Sequence, residues 1–377
     1  MKAIHLADLH IGKTVNGFFL LEDQREIMRR ILHIMDREKP DCVLIAGDVY
    51  DKPVPSADAV ALFDEFLVQL AERVPHTFVI SGNHDSPERI AFGGRLMNRS
   101  GIHMAPVYDG RVTAVTITDA HGPVYVYMLP FIKPVHVRRF YPDEPVESYT
   151  DAVRAAIAQM HINPAHRNVL ITHQFVTGAL RSESEECSVG GTDGVDVSVF
   201  ADFDYVALGH LHRAQRVGSD FVRYAGSPLS YSFSEARYPK SVPVVELGEK
   251  SVRTVKLVPL LPPHEMVELR GRYMELMDRA FYADTDYATD YVHITLTDEE
   301  DIPDAVSRLR TVYRNLMRLD YDNCRTRGSR TLPDTADRPS PMQLFADFYE
   351  AQNNQPMTDA QRARIEALIA QIWGGAE

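Results

Sequence analysis

Cysteine is scarce in this chain: Cys42, Cys187 and Cys324 are the only three, far apart and without CxxC spacing. That excludes a disulfide framework and a zinc ribbon, and a reducing compartment fits best. No uninterrupted apolar stretch approaches the length needed to span a bilayer, so no membrane segment is expected. The start lacks the basic region and long apolar core of a secretory signal and opens directly on a strand pattern, which makes the cytoplasm the expected location. Positive charge is the minority. Against 53 Asp and Glu stand 40 Lys and Arg, a formal net charge of −13. Coating nucleic acid through bulk positive potential is therefore not the expected mode, although local cations or metal ions can still meet a phosphate backbone. Nor is the chain disordered or fibrous: it is 45% hydrophobic and 25% charged, and its 377 residues suffice for an enzyme domain plus smaller modules.

What is present begins with TFVISGNHDS, from Thr77 to Ser86. A β-branched and aromatic run reads as a buried strand, and Gly82 then lets the backbone turn so that Asn83, His84 and Asp85 fan out at its tip. Alone, such a tip suits a turn or a helix cap equally well. The same design recurs, however. AIHLADLH sets Asp8 and His10 after an apolar strand, CVLIAGDVYD sets Asp48 and Asp51, VLITHQ sets His173, and YVALGHLH sets His210 and His212. Five strands thus carry metal-capable side chains at their carboxyl ends, where open α/β sheets hold ligands.

In chain order, helical spacing of Ile27, Ile31, Ile34 and Met35 predicts a helix over Leu20 to Lys39, closed by Pro40. A second helix is expected from Ser56, a plausible N-cap, to Val74. This β-α-β-α-β order argues for a sheet with helical crossovers. A helix over Arg89 to Asn98 is interrupted in pattern by Gly93 and Gly94. Strands follow from Ile102 to Leu129, a helix over Ser148 to Met160, and a polar Gly-rich loop from Thr177 to Val195 that carries Glu183, Glu185 and Glu186. Two sheet layers with helices outside accommodate this order. Pro259, Pro262 and Pro263 then mark a domain boundary. Beyond it an α+β unit is expected, with short helices around Met274 to Arg279 and Pro303 to Tyr313. An Arg-, Asp- and Pro-rich linker follows, then two amphipathic helices in PMQLFADFYEAQ and TDAQRARIEALIAQIWGG. Packing on the α+β unit and docking to a partner protein are both open for that tail.

Two carboxylates, a carboxamide oxygen and several imidazoles form a mixed O/N shell suited to Mn²⁺, Fe²⁺ or Zn²⁺. If all bind, two divalent cations bring four positive charges against two from Asp8 and Asp48, and about +2 remains for an anionic substrate. His84 is the expected proton donor to a leaving group, with Asp85 or another acceptor fixing its tautomer.

The motifs DLH, GDVYD, GNHD, THQ and GHLH, in this order, resemble those of the calcineurin-like metallophosphoesterases. THQFVTGALRSESE, YVALGHLHRAQRV, RYAGSPLSYSFSEARYPKS and FADFYE extend the resemblance to the SbcD nuclease family, over nearly the whole chain. It implies a two-layered β-sandwich flanked by helices, with a small α+β cap. The domain expectation becomes a nuclease domain over 1–262, a DNA-recognition cap over 263–322, a linker over 323–341 and docking helices over 342–377. Carried over by position, the resemblance puts Asp8, His10 and His212 on one metal and Asn83, His173 and His210 on the other. Asp48 would bridge them, and His84 matches the catalytic histidine. Asp51 falls where some relatives have His, so it is expected behind the ligands or on the substrate side, and Asp85 is expected behind the ligands. Also implied are Mn²⁺ dependence, 3′ to 5′ exonuclease activity on duplex DNA, endonuclease activity on single strands and hairpins, and a homodimer. The partner would be the coiled-coil ATPase SbcC, and the location on DNA the nucleoid.

Lys13 and Arg89, each just past a ligand motif, are the expected phosphate contacts. The Arg-rich stretch from Arg308 to Arg330 fits a solvated face as well as a phosphate-tracking one, because Asp320 and Asp322 interleave. Gly226, Ser227 and Pro228 read as a structural turn, and the ten histidines outside the motifs as surface or core groups. A phosphatase or small-molecule phosphodiesterase shares the metal core. A DNA-end tether is the alternative of another class.

Overall fold

Strands buried on both faces read as unbroken apolar runs, and CVLIA is one: every residue of the Cys42–Ala46 strand is buried. In the computed structural model, which describes residues 1–182, 185, 193–323, 341–353 and 355–373, this strand lies inside the first of two six-stranded sheets. That sheet runs in the order Arg253–Pro259, Ser241–Leu247, Lys2–Leu6, Cys42–Ala46, His76–Ile80, Ile102–Met104. Its last four strands are mutually parallel. Parallel neighbours require crossovers, and the helices Leu21–Glu38 and Ala57–Arg73 supply the first two. The second sheet runs Gln215–Val217, Ser219–Tyr224, Tyr205–Gly209, Arg167–His173, Gly122–Leu129, Val115–Asp119, and its four inner strands are also parallel.

Alternation along these strands divides the core into layers. Val169 and Ile171 face the first sheet and share a cluster with Leu44, Phe78 and Ile80. Leu170 faces the other way, toward Val153 and Ala156 of the Tyr149–Ala158 helix. A buried polar contact also crosses the layers, His5 Nδ1 to the Tyr205 hydroxyl at 2.9 Å.

Ser56 caps the second helix as expected, accepting the Ala59 N–H at 3.2 Å. Three expected helices are shorter. Arg89 to Asn98 is split into Pro87–Ile90 and Gly94–Met97, because Gly93 adopts φ 74° between them. Met274 to Arg279 gives two single turns, Tyr273–Leu276 and Arg279–Tyr282, with the Asp278 side chain capping the second. Pro303 to Tyr313 is helical only over Ala305–Leu309, entered through left-handed Asp304.

The chain divides into two compact units, Met1–Met266 and Val267–Glu377. The second contains a three-stranded sheet in the order Met266–Gly271, Tyr291–Leu296, Asn315–Tyr321, with its own core of Leu269, Val292, Ile294, Leu309 and Leu316. The helices Pro341–Asn353 and Asp359–Trp373 follow and touch each other. Most of the expected linker, Cys187 and Cys324 lie outside the described residues, as do Glu183 and Glu186. Among those described, no helix is long and apolar enough to cross a membrane.

Candidate metal centre

Within each sheet the parallel strands end on the same side, and the expected ligands follow those ends. Asp8 and His10 follow Lys2–Leu6, Asp48 follows Cys42–Ala46, and Asn83 and His84 follow His76–Ile80. From the second sheet come His173, the last residue of its strand, and His210 and His212 after Tyr205–Gly209. Two contacts stitch the sheets together here: the His210 N–H donates to Asp8 Oδ1 at 2.8 Å, and His173 Nδ1 lies 2.8 Å from the Ala46 carbonyl.

Fitting the ligands together forces the backbone into unusual conformations. Asp8, His10, Asp48 and His210 have φ of 53°, 43°, 49° and 105°. Each such non-glycine residue stores on the order of 1–3 kcal/mol, tolerated where surrounding contacts over-determine it. Two glycines are required by close approach. A Cβ on Gly82 would stand 2.1 Å from Asp48 Oδ1, and one on Gly209 would stand 1.9 Å from the Ala46 carbonyl oxygen.

The side chains converge. Ligand atoms of Asp8, His10 and His212 lie within 4.8 Å of one another, and so do those of Asp8, Asp48 and His173. His10 Nε2 is 3.0 Å from His212 Nε2, and Asn83 Oδ1 is 3.0 Å from His173 Nε2 and 2.9 Å from His210 Nδ1. Asp48 Oδ2 sits between the two groups, 3.3 Å from His173 Nε2 and 3.6 Å from His10 Nε2. Donors bonded at roughly 2.0–2.1 Å to one ion, at right angles, stand about 3 Å apart. Asp8 Oδ2 and His10 Nδ1 are buried with no hydrogen-bond partner. An orphaned carboxylate oxygen within an O/N donor set fits a divalent cation.

Hydrogen bonds also set the ring tautomers. A carbonyl only accepts, so His173 keeps a proton on Nδ1 against Ala46, and Nε2 is the nitrogen that faces inward. His212 does the same against the Glu235 carboxylate, Nδ1 to Oε1 at 3.0 Å. Burial lowers His210 to about 3 and His10 well below the ordinary imidazole value, so both are neutral. Asp8 is raised by burial to about 7. Burial also pulls His173 down, yet Asp48 and Asp8 outweigh it and hold the ring up at about 9.

His84 stands apart from this set. It is half-buried where His10, His173 and His212 are buried, and its Nδ1 lies 3.2 Å from the Asp51 carbonyl. One of its ring nitrogens nevertheless groups with His10 and Asp48 within 4.8 Å, placing it beside the same centre. Asp85 does not serve the His84 ring. Its carboxylate accepts the N–H groups of Val49, Tyr50 and Gly82 at 3.1, 2.9 and 2.9 Å, tying the GDVYD and GNHD loops together, and the Asp51 backbone takes the tautomer-fixing place. The Asp51 side chain instead pairs with Lys13 at 2.7 Å. Arg89 is exposed and lines a 550 Å³ hollow with Tyr50, Phe63 and Phe92.

Sequence reasoning missed the groups behind the ligands. Buried Gln24 donates to the His10 carbonyl at 2.7 Å and accepts the Gly12 N–H at 2.8 Å. A signal existed, since Gln24 occupies the apolar stripe of its helix, three, four and seven residues before Ile27, Met28 and Ile31. Glu185, within the polar loop, accepts the His212 N–H at 2.6 Å. Glu235 and Lys240 lie on no such stripe, and their one signal was the stretch RYAGSPLSYSFSEARYPKS that carries part of the family resemblance.

Two face-to-face sheets with an Asp/Asn/His cluster at their joined ends are the architecture of a metal-dependent phosphoesterase. A family model described as calcineurin-like phosphoesterase matches residues 1–214, and one described as type 5 capsule protein repressor C-terminal domain matches 262–353. The SbcD subunit of the SbcCD nuclease of Staphylococcus saprophyticus is 31% identical over 382 residues, covering 99% of this chain and 98% of that protein. Its Staphylococcus epidermidis counterpart is 30% identical over 380 residues, covering 99% of each. The chain belongs to the SbcD family of calcineurin-like phosphoesterases.

Metal ligands must shed their protons, so if His173 and Asp8 bind a cation, loading the centre at pH 7 should displace those they hold. Calorimetry of Mn²⁺ binding in two buffers of different ionisation enthalpy should report release of roughly one proton or more per chain. Affinity should climb as pH rises through 7 and toward 9, and a pH-independent affinity would contradict these assignments.

Proposed function

We propose that this chain is a two-metal DNA nuclease. Asp8, His10 and His212 would hold one divalent cation, Asn83, His173 and His210 the other, and Asp48 would bridge them. The observation that carries the reading is the convergence of five strand ends on one buried cluster that leaves an Asp8 oxygen orphaned. Cations held there supply a water of lowered pKa and charge against the phosphoryl oxygens. With two divalent ions the four positive charges exceed the two carboxylates by about +2, so an anionic backbone is drawn to the site of a protein that is acidic overall. Mn²⁺ is the ion the family resemblance favours.

The chain's own part in the chemistry falls to His84. Its Nδ1 faces the Asp51 carbonyl, so the doubly protonated ring would deliver its Nε2 proton to the departing oxygen and keep the one on Nδ1, while its backbone N–H donates to Asp48 Oδ1 at 2.9 Å. With Mn²⁺, labelled hairpin DNA should be cut and a chelator should stop it. His84→Ser should lower turnover about 10²- to 10⁴-fold while both Mn²⁺ ions stay bound. Cleavage of a generic phosphodiester ester without any cleavage of DNA would replace the nuclease by a small-substrate phosphodiesterase, and loss of metal in His84→Ser would make His84 a ligand. The substrate forms proposed are duplex ends, attacked 3′ to 5′, and single strands or hairpins, attacked internally.

A homodimer is also proposed, through the surface around the 550 Å³ hollow. Val60 and Val68 of the second helix are 44% and 53% exposed, and Phe92 and Leu96 beyond it are 85% and 73% exposed. Large apolar side chains grouped in this way mark an association surface. Phe92→Asp with Leu96→Asp should convert a sedimenting dimer to monomer and leave Mn²⁺ binding unchanged; a wild-type protein that is monomeric at micromolar concentration would refute the dimer.

The C-terminal helices are proposed to dock on an SbcC-type ATPase. Leu344, Phe345, Phe348 and Leu368 are exposed on them, in keeping with an apolar face meant for another protein. Deleting Met342 to Glu377 should spare metal-dependent cleavage and abolish co-purification with the ATPase. Persistent co-purification would move the docking site elsewhere.

A further inference from the structure

The segment after the second sheet, GSPLSYSFSEARYPKS, contributes no proposed ligand, yet it closes around one. Glu235 is fully buried and both of its oxygens are engaged. Oε1 takes His212 Nδ1 at 3.0 Å, and Oε2 takes Lys240 Nζ at 2.7 Å and Ser227 Oγ at 3.3 Å. Lys240 is itself only 8% exposed. Its ammonium also reaches Ser227 Oγ at 2.8 Å and the His212 carbonyl at 3.4 Å, and the Ser227 N–H donates to that same carbonyl at 3.1 Å. One histidine is therefore gripped at its ring and at its carbonyl by a single short stretch of chain.

A buried carboxylate beside a buried ammonium is costly to assemble, and such a pair is weak evidence for stability on its own. Its arrangement here has a directional consequence. Lys240 neutralises Glu235 on the side away from His212, so the carboxylate persists in a dry site and can only accept. His212 must then hold its proton on Nδ1, and its Nε2 lone pair is aimed at the Asp8 and His10 atoms, 3.0 Å from His10 Nε2. Lys240, a cation in a chain proposed to bind polyanions, is too enclosed and too committed to track phosphate.

We infer that Glu235 and Lys240 are positioning residues for metal binding at His212: the lysine fixes the glutamate, and the glutamate fixes the tautomer and ring plane of the ligand. The inference rests on the two-metal reading of the centre. Because removing Glu235 alone would strand a buried lysine, the test uses the double variant Glu235→Met/Lys240→Met, which leaves His212 Nδ1 no side-chain acceptor at position 235, beside the wild type, each titrated with Mn²⁺ alone. Free ion is read by electron paramagnetic resonance, and melting temperature is measured with and without Mn²⁺.

The wild type should bind two ions per chain. The double variant should keep one near wild-type affinity and bind the other about 10- to 100-fold more weakly, with a smaller gain in melting temperature on adding Mn²⁺. Equal affinity for both ions in variant and wild type, even with a lowered metal-free melting temperature, would reduce the pair to a structural role and overturn the inference. Failure of the wild type to bind Mn²⁺ would instead remove the metal reading on which the inference stands.

Discussion

Two carboxylates, Asp8 and Asp48, are buried almost completely at the join between two sheets, and most features of the first unit answer to that placement. An ion taken out of water is penalised by several kcal/mol even after relaxation, unless opposite charge and hydrogen bonds meet it. Here hydrogen bonds meet only part of it. Asp8 Oδ1 takes the His210 N–H and Asp48 Oδ1 takes the His84 N–H, while Asp8 Oδ2 is left unpartnered. The imidazoles around them respond unequally: His173 is drawn toward the charged form by Asp48 and Asp8, and His10 and His210 are driven to neutrality by burial. Such a cluster balances poorly by itself, and a divalent cation is the partner that its donor set suits.

Holding the carboxylates there consumes backbone freedom. Asp8, His10 and Asp48 lie near the left-handed region, which Asp, Asn and His enter more readily than other non-glycine residues. The residue types that ligate metal are thus also the types that tolerate the turn, and this coincidence of needs makes short motifs such as DLH and GDVYD so compact. Gly82 and Gly209 complete the economy, since each lies where another motif's atoms occupy the space a side chain would fill. The absence of a side chain at these two positions lets the loops come within reach of each other.

The parts of the molecule that were legible in the sequence are those governed by local rules. Apolar runs followed by a polar tip, three of them with an intervening Gly, disclosed five strand ends, and the helical stripe of Ile27, Ile31 and Ile34 disclosed the first crossover. The parts that were not legible depend on distant partners. Asp85 stands next to His84 in sequence, but its oxygens are spent on the N–H groups of Val49, Tyr50 and Gly82, which only the fold brings near. Glu235 reaches His212 from a distant point of the chain without regular spacing, so no periodicity could reveal it. The short helices divide: the break at Gly93 was visible in the Gly93-Gly94 pair, whereas the positive φ of Asp304, which delays the start of its helix to Ala305, has no counterpart in the side-chain pattern.

The same enclosure separates cations that serve architecture from those that could serve chemistry. Lys240 and Arg167 are enclosed and paired, the first with Glu235 at 2.7 Å and the second with Asp119 at 2.6 Å, so their charge is spent inside the fold. Lys13 is compensated by Asp51 at the rim of the centre. Positive potential at the mouth therefore has little to draw on from these side chains. On the proposed two-metal reading, attraction of an anionic substrate would fall to ions held by Asp8, Asp48 and their neighbours, which would couple substrate capture to metal loading. For a protein of net charge −13, such a coupling would offset the repulsion between an acidic surface and a polyanion at the site itself.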